Sequence, residues 1–236
     1  MQSYAITIFR GLTLVLALLS LASHSSQAAD NQLTAEEKAD GWQLLFNGKD
    51  LEGWKNNDGK PLASNAVKDG TLNTRAIGGY IVVYDKEFGD FEFQCDVKMA
   101  EGECNSGVFV RISDLADPVN TGLEAQIFAP PGTTLQDFGA IYDLVPPTKI
   151  ATKGAGAWDT FNVRCEGPLI TVKVNGEQVA ELDCDTLDKP GLRADGTKHK
   201  FPRAIKDFAR SGYLGLQDHG TDVWFKNIKV RELNKK

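Results

Sequence analysis

Asn105-Ser106-Gly107-Val108-Phe109-Val110-Arg111, a loop, and then Gly122-Leu123-Glu124-Ala125-Gln126-Ile127 read as two strands that decide the fold. Side chains of an extended chain alternate between faces. In the first strand Val108, Val110 and Ile112 share one face, and Asn105, Gly107, Phe109 and Arg111 share the other. In the second, Leu123, Ala125 and Ile127 point one way while Glu124 and Gln126 point the other. A core uses the apolar faces. It has no use for Asn, Arg, Glu and Gln gathered on the opposite face with a glycine leaving room, so that face is expected to floor a sugar-sized site.

The flanking sequence repeats this grammar. Upstream, Phe91 to Met99 alternates cleanly, with Phe91, Phe93, Cys95, Val97 and Met99 inward and four polar residues outward. Tyr80 to Tyr84 is an apolar run of strand length, and Asp69-Gly70 between Ala66–Lys68 and Thr71–Thr74 is a hairpin signal. Nearer the start, Thr34 and Glu37 form a capping box for a short helix over 33–40, and Gly41 to Phe46 reads as a strand. Downstream, Phe138 to Leu144 reads as a strand ahead of Pro146-Pro147. A meander follows over 158–166, 169–174 and 178–184, turning at Gly167-Pro168 and Asn175-Gly176. A polar stretch from Asp185 to Ser211 holds a short helix over 203–209, and strands over 212–218 and 222–233 close the chain.

Roughly a dozen short strands with turn signals between them, and no βαβ alternation, predict an all-β fold: a jelly-roll sandwich of two antiparallel sheets. A curved sheet offers one concave face, and the longer loops 112–121, 129–137 and 185–211 are its natural rims.

Arg10, the apolar run Leu12 to Ala22 and Ser26-Gln27-Ala28 have the layout of a cleavable signal peptide over residues 1–28. The run falls short of the ~20 apolar residues that span a bilayer. A single domain over 29–236, soluble and exported to the periplasm or the medium, is the expectation. With Arg10 removed, the 26 basic residues become 25 against 32 acidic ones, a net charge of −7. An acidic surface argues against nucleic acid as partner. Cys95, Cys104, Cys165 and Cys184 match no zinc spacing. Two disulfides in any of three pairings, or buried free thiols, both fit them.

Glu124, Gln126, Arg111 and Asn105 together can bind several hydroxyls and handle one proton. In Leu216-Gln217-Asp218-His219-Gly220, Gln217 and His219 share a face at a strand end, and imidazole titrates near neutrality. Tyr142 and Asp143 end another strand and are candidates to line the groove, and Trp54 and Trp158 are candidates to stack on a sugar ring. The basic cluster Arg193, Lys198, His199, Lys200, Arg203, Lys206 and Arg210 reads as a solvated lid rim. A divalent metal is compatible with the acids and histidines, though no ligand spacing demands one.

Several blocks, taken together and in order, resemble the bacterial 3-keto-disaccharide hydrolase family. They are Gly41-Trp42-Gln43-Leu44-Leu45-Phe46-Asn47-Gly48-Lys49-Asp50-Leu51-Glu52-Gly53-Trp54, Asn105 to Arg111, Gly122 to Ile127, Gly139-Ala140-Ile141-Tyr142, Leu216 to Gly220, and Phe225-Lys226-Asn227-Ile228. The resemblance spans about residues 33–233. It implies a concanavalin A-like jelly roll and action on 3-keto-glycosides by 1,2-elimination and hydration, a net hydrolysis. Such a route needs a base at C2, positive charge or donors at the C3 oxygen, and an acid for the leaving oxygen. On this reading Glu124 or His219 is the base and Arg111 stabilises the enolate, with a metal as its possible substitute. Asn105, Gln126, Gln217, Tyr142, Trp54 and Asp218 bind substrate, a small oxidised di- or oligosaccharide. Where glucanases of similar fold carry acid-x-acid-x-x-acid, this chain has Glu124-Ala125-Gln126-Ile127-Phe128-Ala129, without the second carboxylate that direct cleavage uses. The rival classes are a non-catalytic carbohydrate-binding module and an exported structural protein.

Overall fold

The computed structural model describes residue 1 and residues 29–233; the expected leader and its cleavage point otherwise fall outside the described residues. Thr34 caps the short helix α1 (Ala35–Ala39), and the capping box with Glu37 is formed in both directions. Thirteen strands follow among the described residues. They are β1 (Trp42–Leu44), β2 (Trp54–Asn56), β3 (Val67–Lys68), β4 (Thr71–Asn73), β5 (Ile81–Phe88), β6 (Phe91–Met99) and β7 (Cys104–Ile112), then, after the one-turn helix α2 (Pro118–Thr121), β8 (Leu123–Ala129), β9 (Trp158–Glu166), β10 (Leu169–Val174), β11 (Glu177–Asp183), β12 (Gly212–Gln217) and β13 (Val223–Glu232).

They form two antiparallel sheets, the jelly-roll sandwich that the alternation predicts. The larger has the order β11-β10-β9-β6-β13-β4-β3 with β1 added at β13, and the smaller has the order β2-β5-β12-β7-β8. Phe91, Phe93, Cys95, Val97 and Met99 of β6 meet Val108, Val110, Ala125, Ile127, Leu214 and Leu216 of the smaller sheet in one continuous core. Positive φ at Asp69 and Gly70, and at Asn175 and Gly176, turns the two predicted hairpins. The four cysteines are free thiols, each buried. Among the described residues no helix is long and apolar enough to cross a membrane.

Two expected elements differ. Phe138 to Leu144 is not a strand: Gly139 and Asp143 both take positive φ, which coils the segment away after short pairing beside β8. Gly139 N donates to Gln126 O at 2.8 Å and Tyr142 N to Glu124 O at 2.8 Å, so the coil stays bound to the strand that carries those two polar residues. The helix expected over 203–209 is reduced to a single 3-10 turn, Ile205–Asp207, just after Pro202. Ile205 and Phe208 are still buried, as the spacing demanded.

The smaller sheet's other face, turned away from the core, is divided. Ile81, Val83, Phe109 and Ile112 form a second apolar cluster, closed over by Leu115, Val119 and Tyr213 from the loop around α2 and from β12. Next to it the same face becomes polar, with Asn105 and Gly107 on β7, Glu124 and Gln126 on β8, and Gln217 at the end of β12. Packing fills one half of the face, and the other half is free to hold a ligand.

Candidate active site

That polar half floors a hollow of about 190 Å³ lined by Tyr80, Asn105, Val119, Glu124, Gln126, Tyr142, Lys200, Gln217 and His219. Six residues chosen from the sequence meet there: Glu124, His219, Asn105, Gln126, Gln217 and Tyr142. Five others, Arg111, Trp54, Trp158, Asp143 and Asp218, do not line it.

Arg111 is the main correction. Alternation places it with Phe109 on the polar face, yet Arg111 has φ +55° and sits in a β-bulge. Tyr213 pairs with Ile112 and Gly215 with Phe109, so Val110 and Arg111 together face the single residue Leu214. The extra residue moves Ile112 onto the face with Phe109 and sends Arg111 inward with Val110. Gly212 permits this, because a Cβ there would stand 2.6 Å from the Arg111 carbonyl carbon. The guanidinium, 1 % exposed, pairs with Asp90 at 3.1 Å and donates to Gly167 O at 2.8 Å, tying the bulge to the turn that crosses from β5 to β6 and to the β9–β10 turn of the opposite sheet. Asp90 also accepts from Gly167 N at 2.9 Å. This is a structural clamp, and breaking one side strands a buried charge. Asp90→Ala is expected to destabilise the fold by about 3–5 kcal/mol, whereas Arg111→Met, which removes the charge itself, costs far less. Urea unfolding of the two variants checks the asymmetry.

Trp54 is core rather than platform. Its indole N–H donates to Leu45 O at 2.7 Å, and its ring meets Tyr84 edge-on at 5.5 Å. Asp218 turns away to hold the loop, accepting from Gly220 N at 2.7 Å, and thereby sets the neighbouring His219 at the mouth. Trp158 lies on the far sheet, where Lys98 and Lys226 stand over its ring.

Glu124 is 6 % exposed, and burial pushes its carboxyl up to about 7, opposed only in part by the Lys200 charge. Among the described residues nothing donates a hydrogen bond to that carboxylate. Gly107 makes the position available: a Cβ there would stand 2.8 Å from Glu124 Cγ and overlap the carboxylate. A raised carboxyl carries a stability cost with a definite sign. The folded state holds the proton more tightly than the unfolded chain, so stability is full below about 4.5 and is lost as pH rises through about 7. The loss should approach about 3 kcal/mol, and Glu124→Gln should not show it. Urea midpoints at pH 5 and pH 8 for both proteins test this.

The amides complete the floor. Gln126 Nε2 donates to Asn105 Oδ1 at 3.3 Å, and Gln217 Nε2 to the Tyr80 hydroxyl at 3.0 Å. Each glutamine leaves its Oε1 buried without a donor. A buried acceptor without a partner is costly, and a ligand hydroxyl is its natural donor. Tyr80 is 45 % exposed, and its ring lies 6.4 Å from that of His219, so the mouth is aromatic on one side.

Lys200 escaped the sequence reading, because it sits in the loop assigned to a solvated rim. Its neighbours explain the difference. His199 and Phe201 are both buried, and they draw the intervening lysine inward while Lys198 stays exposed. Its ammonium lies 4.9 Å from the Tyr142 ring and 4.9 Å from that of Phe201. Burial lowers its pKa, with the Glu124, Asp143 and Asp117 charges opposing. The flanking aromatic rings, His199 and Phe201, were the available signal. His199 itself faces inward, its Nδ1 accepting from Phe201 N at 3.2 Å. Among the described residues no three His, Cys, Asp or Glu side chains are grouped to hold a metal ion.

A buried base near neutrality, one ammonium, a mouth imidazole and unpaired amide oxygens can take a proton from carbon beside a carbonyl and hold the oxyanion that results. Residues 41–231 match the model of the 3-keto-alpha-glucoside-1,2-lyase-like domain. A 3-keto-disaccharide hydrolase of Bacteroides thetaiotaomicron is 24% identical over 249 residues, covering 90% of this chain and 86% of the relative. Two crystal structures of candidate glycosyl hydrolases from Parabacteroides distasonis are each 29% identical. One has a TM-score of 0.72 and covers 81% of this chain and 99% of its own; the other has a TM-score of 0.70 and covers 87% and 100%.

Proposed function

The chain belongs to the 3-keto-alpha-glucoside-1,2-lyase-like domain family, and from that footing we propose that it cleaves 3-keto-glycosides by elimination across C1–C2 followed by hydration. The observation that carries this reading is a single carboxylate, Glu124, buried and raised to about 7, facing Lys200 across a small polar hollow. One poised base beside one cation suits removal of an acidified C–H. It does not suit direct glycosidic displacement, which uses two carboxylates.

Each step balances. Glu124 takes the proton from C2, and the C–H electron pair forms the enolate of the C3 ketone, whose negative oxygen faces the Lys200 ammonium. The enolate collapses, restoring C3=O and forming C1=C2, while the C1–O bond breaks. His219, at the mouth, gives its proton to the departing oxygen. Water gives one proton to the now neutral His219 and adds its oxygen to C1, and C2 regains a proton from Glu124, yielding a free 3-keto sugar and the released alcohol with both side chains returned to their starting states. Gln126 and Gln217 accept from ring hydroxyls, and Asn105 and Tyr142 orient the ring.

Size supports a division of the substrate. At about 190 Å³ the hollow is smaller than the ~300 Å³ at which pockets begin to enclose a whole drug-sized ligand, so it holds one ring. The leaving sugar lies outside, against Tyr80 and His219. Export follows the same proposal: residues 1–28 act as a cleaved leader, and residues 29–236 work as one domain in the periplasm or the medium.

Incubation with 3-keto-trehalose or 3-keto-lactose tests the function. Release of free sugar, with solvent deuterium entering C2, is the expected result. Retention of these glycosides without release would make the chain a binding module instead.

A further inference from the structure

Asp143 lies beside the hollow but does not line it, and its interactions are more extensive than a loop residue requires. Its carboxylate accepts from Lys200 N at 2.7 Å and pairs with the Arg193 guanidinium. Arg193 Nε donates to the Asp143 carbonyl at 2.9 Å, and Arg193 Nη1 reaches Thr197 Oγ1 at 3.1 Å and the Lys198 carbonyl. Arg193 N also donates to Thr197 O at 2.8 Å and His199 N to Gly191 O at 3.0 Å, which closes residues 191–199 into a compact loop. The side chains of Asp143 and Arg193 are 22 % and 11 % exposed, so the pair is shielded from solvent.

We propose that the Asp143–Arg193 pair is a latch that positions Lys200 over the hollow and keeps its ammonium directed at Glu124. The proposal rests on the catalytic reading of Lys200 given above. Two features of the geometry carry it. Asp143 holds the Lys200 backbone, and the adjacent Tyr142 supplies the ring over which the Lys200 ammonium stands, so one dipeptide fixes both ends of the lysine. The positive φ of Asp143, +57°, turns its carboxylate toward the loop while Tyr142 faces the hollow. Arg193 also occupies the Asp143 charge. Without that partner, Asp143 would compete with Glu124 for the ammonium. The charged or titratable groups around Glu124 are then Lys200, His219, Tyr80 and Tyr142, and those near Lys200 are Glu124, Asp143 and Asp117.

Asp143 and Arg193 are positioning residues, so the test asks whether they act through Lys200. Asp143→Ala and Arg193→Lys are combined with Lys200→Met, and kcat and KM are measured on 3-keto-trehalose. In the wild-type background each latch variant should lower kcat about 10–100-fold, since a misplacement near 1 Å costs up to about 10². In the Lys200→Met background the same changes should cost less than about twofold, because nothing is left to position. Equal losses in both backgrounds would overturn the latch. A second readout needs no substrate. The Glu124 carboxyl is followed by carbon-13 NMR against pH, with Glu124→Gln identifying its signal. Its midpoint should move upward in the latch variants and in Lys200→Met, with no further movement when the two are combined. An unmoved midpoint in Asp143→Ala and Arg193→Lys overturns the proposal. If the wild-type protein turned over no 3-keto glycoside, the catalytic reading would fail, and the NMR titration would still decide whether the latch sets the Glu124–Lys200 geometry.

Discussion

Glu124→Gln should lower kcat/KM on 3-keto-trehalose by about 10²–10⁴-fold, the usual contribution of a positioned general base. Glutamine keeps the shape of the side chain and the space above Gly107, so folding and ring binding should survive while proton abstraction is lost. Deuterium incorporation at C2 distinguishes this from a failure in leaving-group protonation. A lost base abolishes exchange, whereas a lost acid leaves exchange running ahead of release. The wild-type profile of kcat/KM against pH should rise on its acid side with a midpoint near 7, where Glu124 releases its proton. That limb should vanish in Glu124→Gln. A variant with wild-type turnover would remove Glu124 from the chemistry altogether.

Lys200→Met should lower kcat by about 10²–10³-fold with a much smaller change in KM, because the charge matters most when the C3 oxygen becomes an enolate. Methionine keeps the apolar contact with Tyr142 and Phe201 and removes only the cation. Lys200→Arg should recover part of the loss, while the acid-side midpoint in Lys200→Met should move upward, since the ammonium is what opposes burial at Glu124. Burial also lowers the Lys200 pKa, so the alkaline limb of the wild-type profile should begin below the ordinary lysine range. A rise in KM alone would make Lys200 a substrate-binding group.

Stability and activity pull in opposite directions at this site. A carboxylate without hydrogen-bond donors, two unpaired amide oxygens and a half-buried ammonium all cost folding free energy. The Arg111–Asp90–Gly167 clamp at the other end of β7 holds the two sheets together and leaves the polar half of the face undistorted by the need to pack. The two arginine–aspartate pairs therefore differ in kind. One secures the sandwich, and the other secures a loop over the hollow.

The sequence by itself determined the strands of the two sheets, though not the coil at 138–144 that it read as another, because period-two alternation records which face is buried. Phe91 to Met99, Leu123 to Ile127 and the two Asx-Gly hairpins were legible for that reason, and so was the polar face holding Asn105, Glu124, Gln126 and Gln217. The tertiary structure alone decided where Arg111 and Lys200 point. At Arg111 the alternation breaks because one strand carries an extra residue against its neighbour, and a bulge depends on the partner strand as much as on its own residues. Lys200 belongs to a loop with no period to read, where direction comes from distant contacts, namely Asp143 on its backbone and Tyr142 under its ammonium. Local pattern specifies a side chain's face only while the ladder stays regular; beyond that, the partners brought by folding choose which cation meets the buried carboxylate.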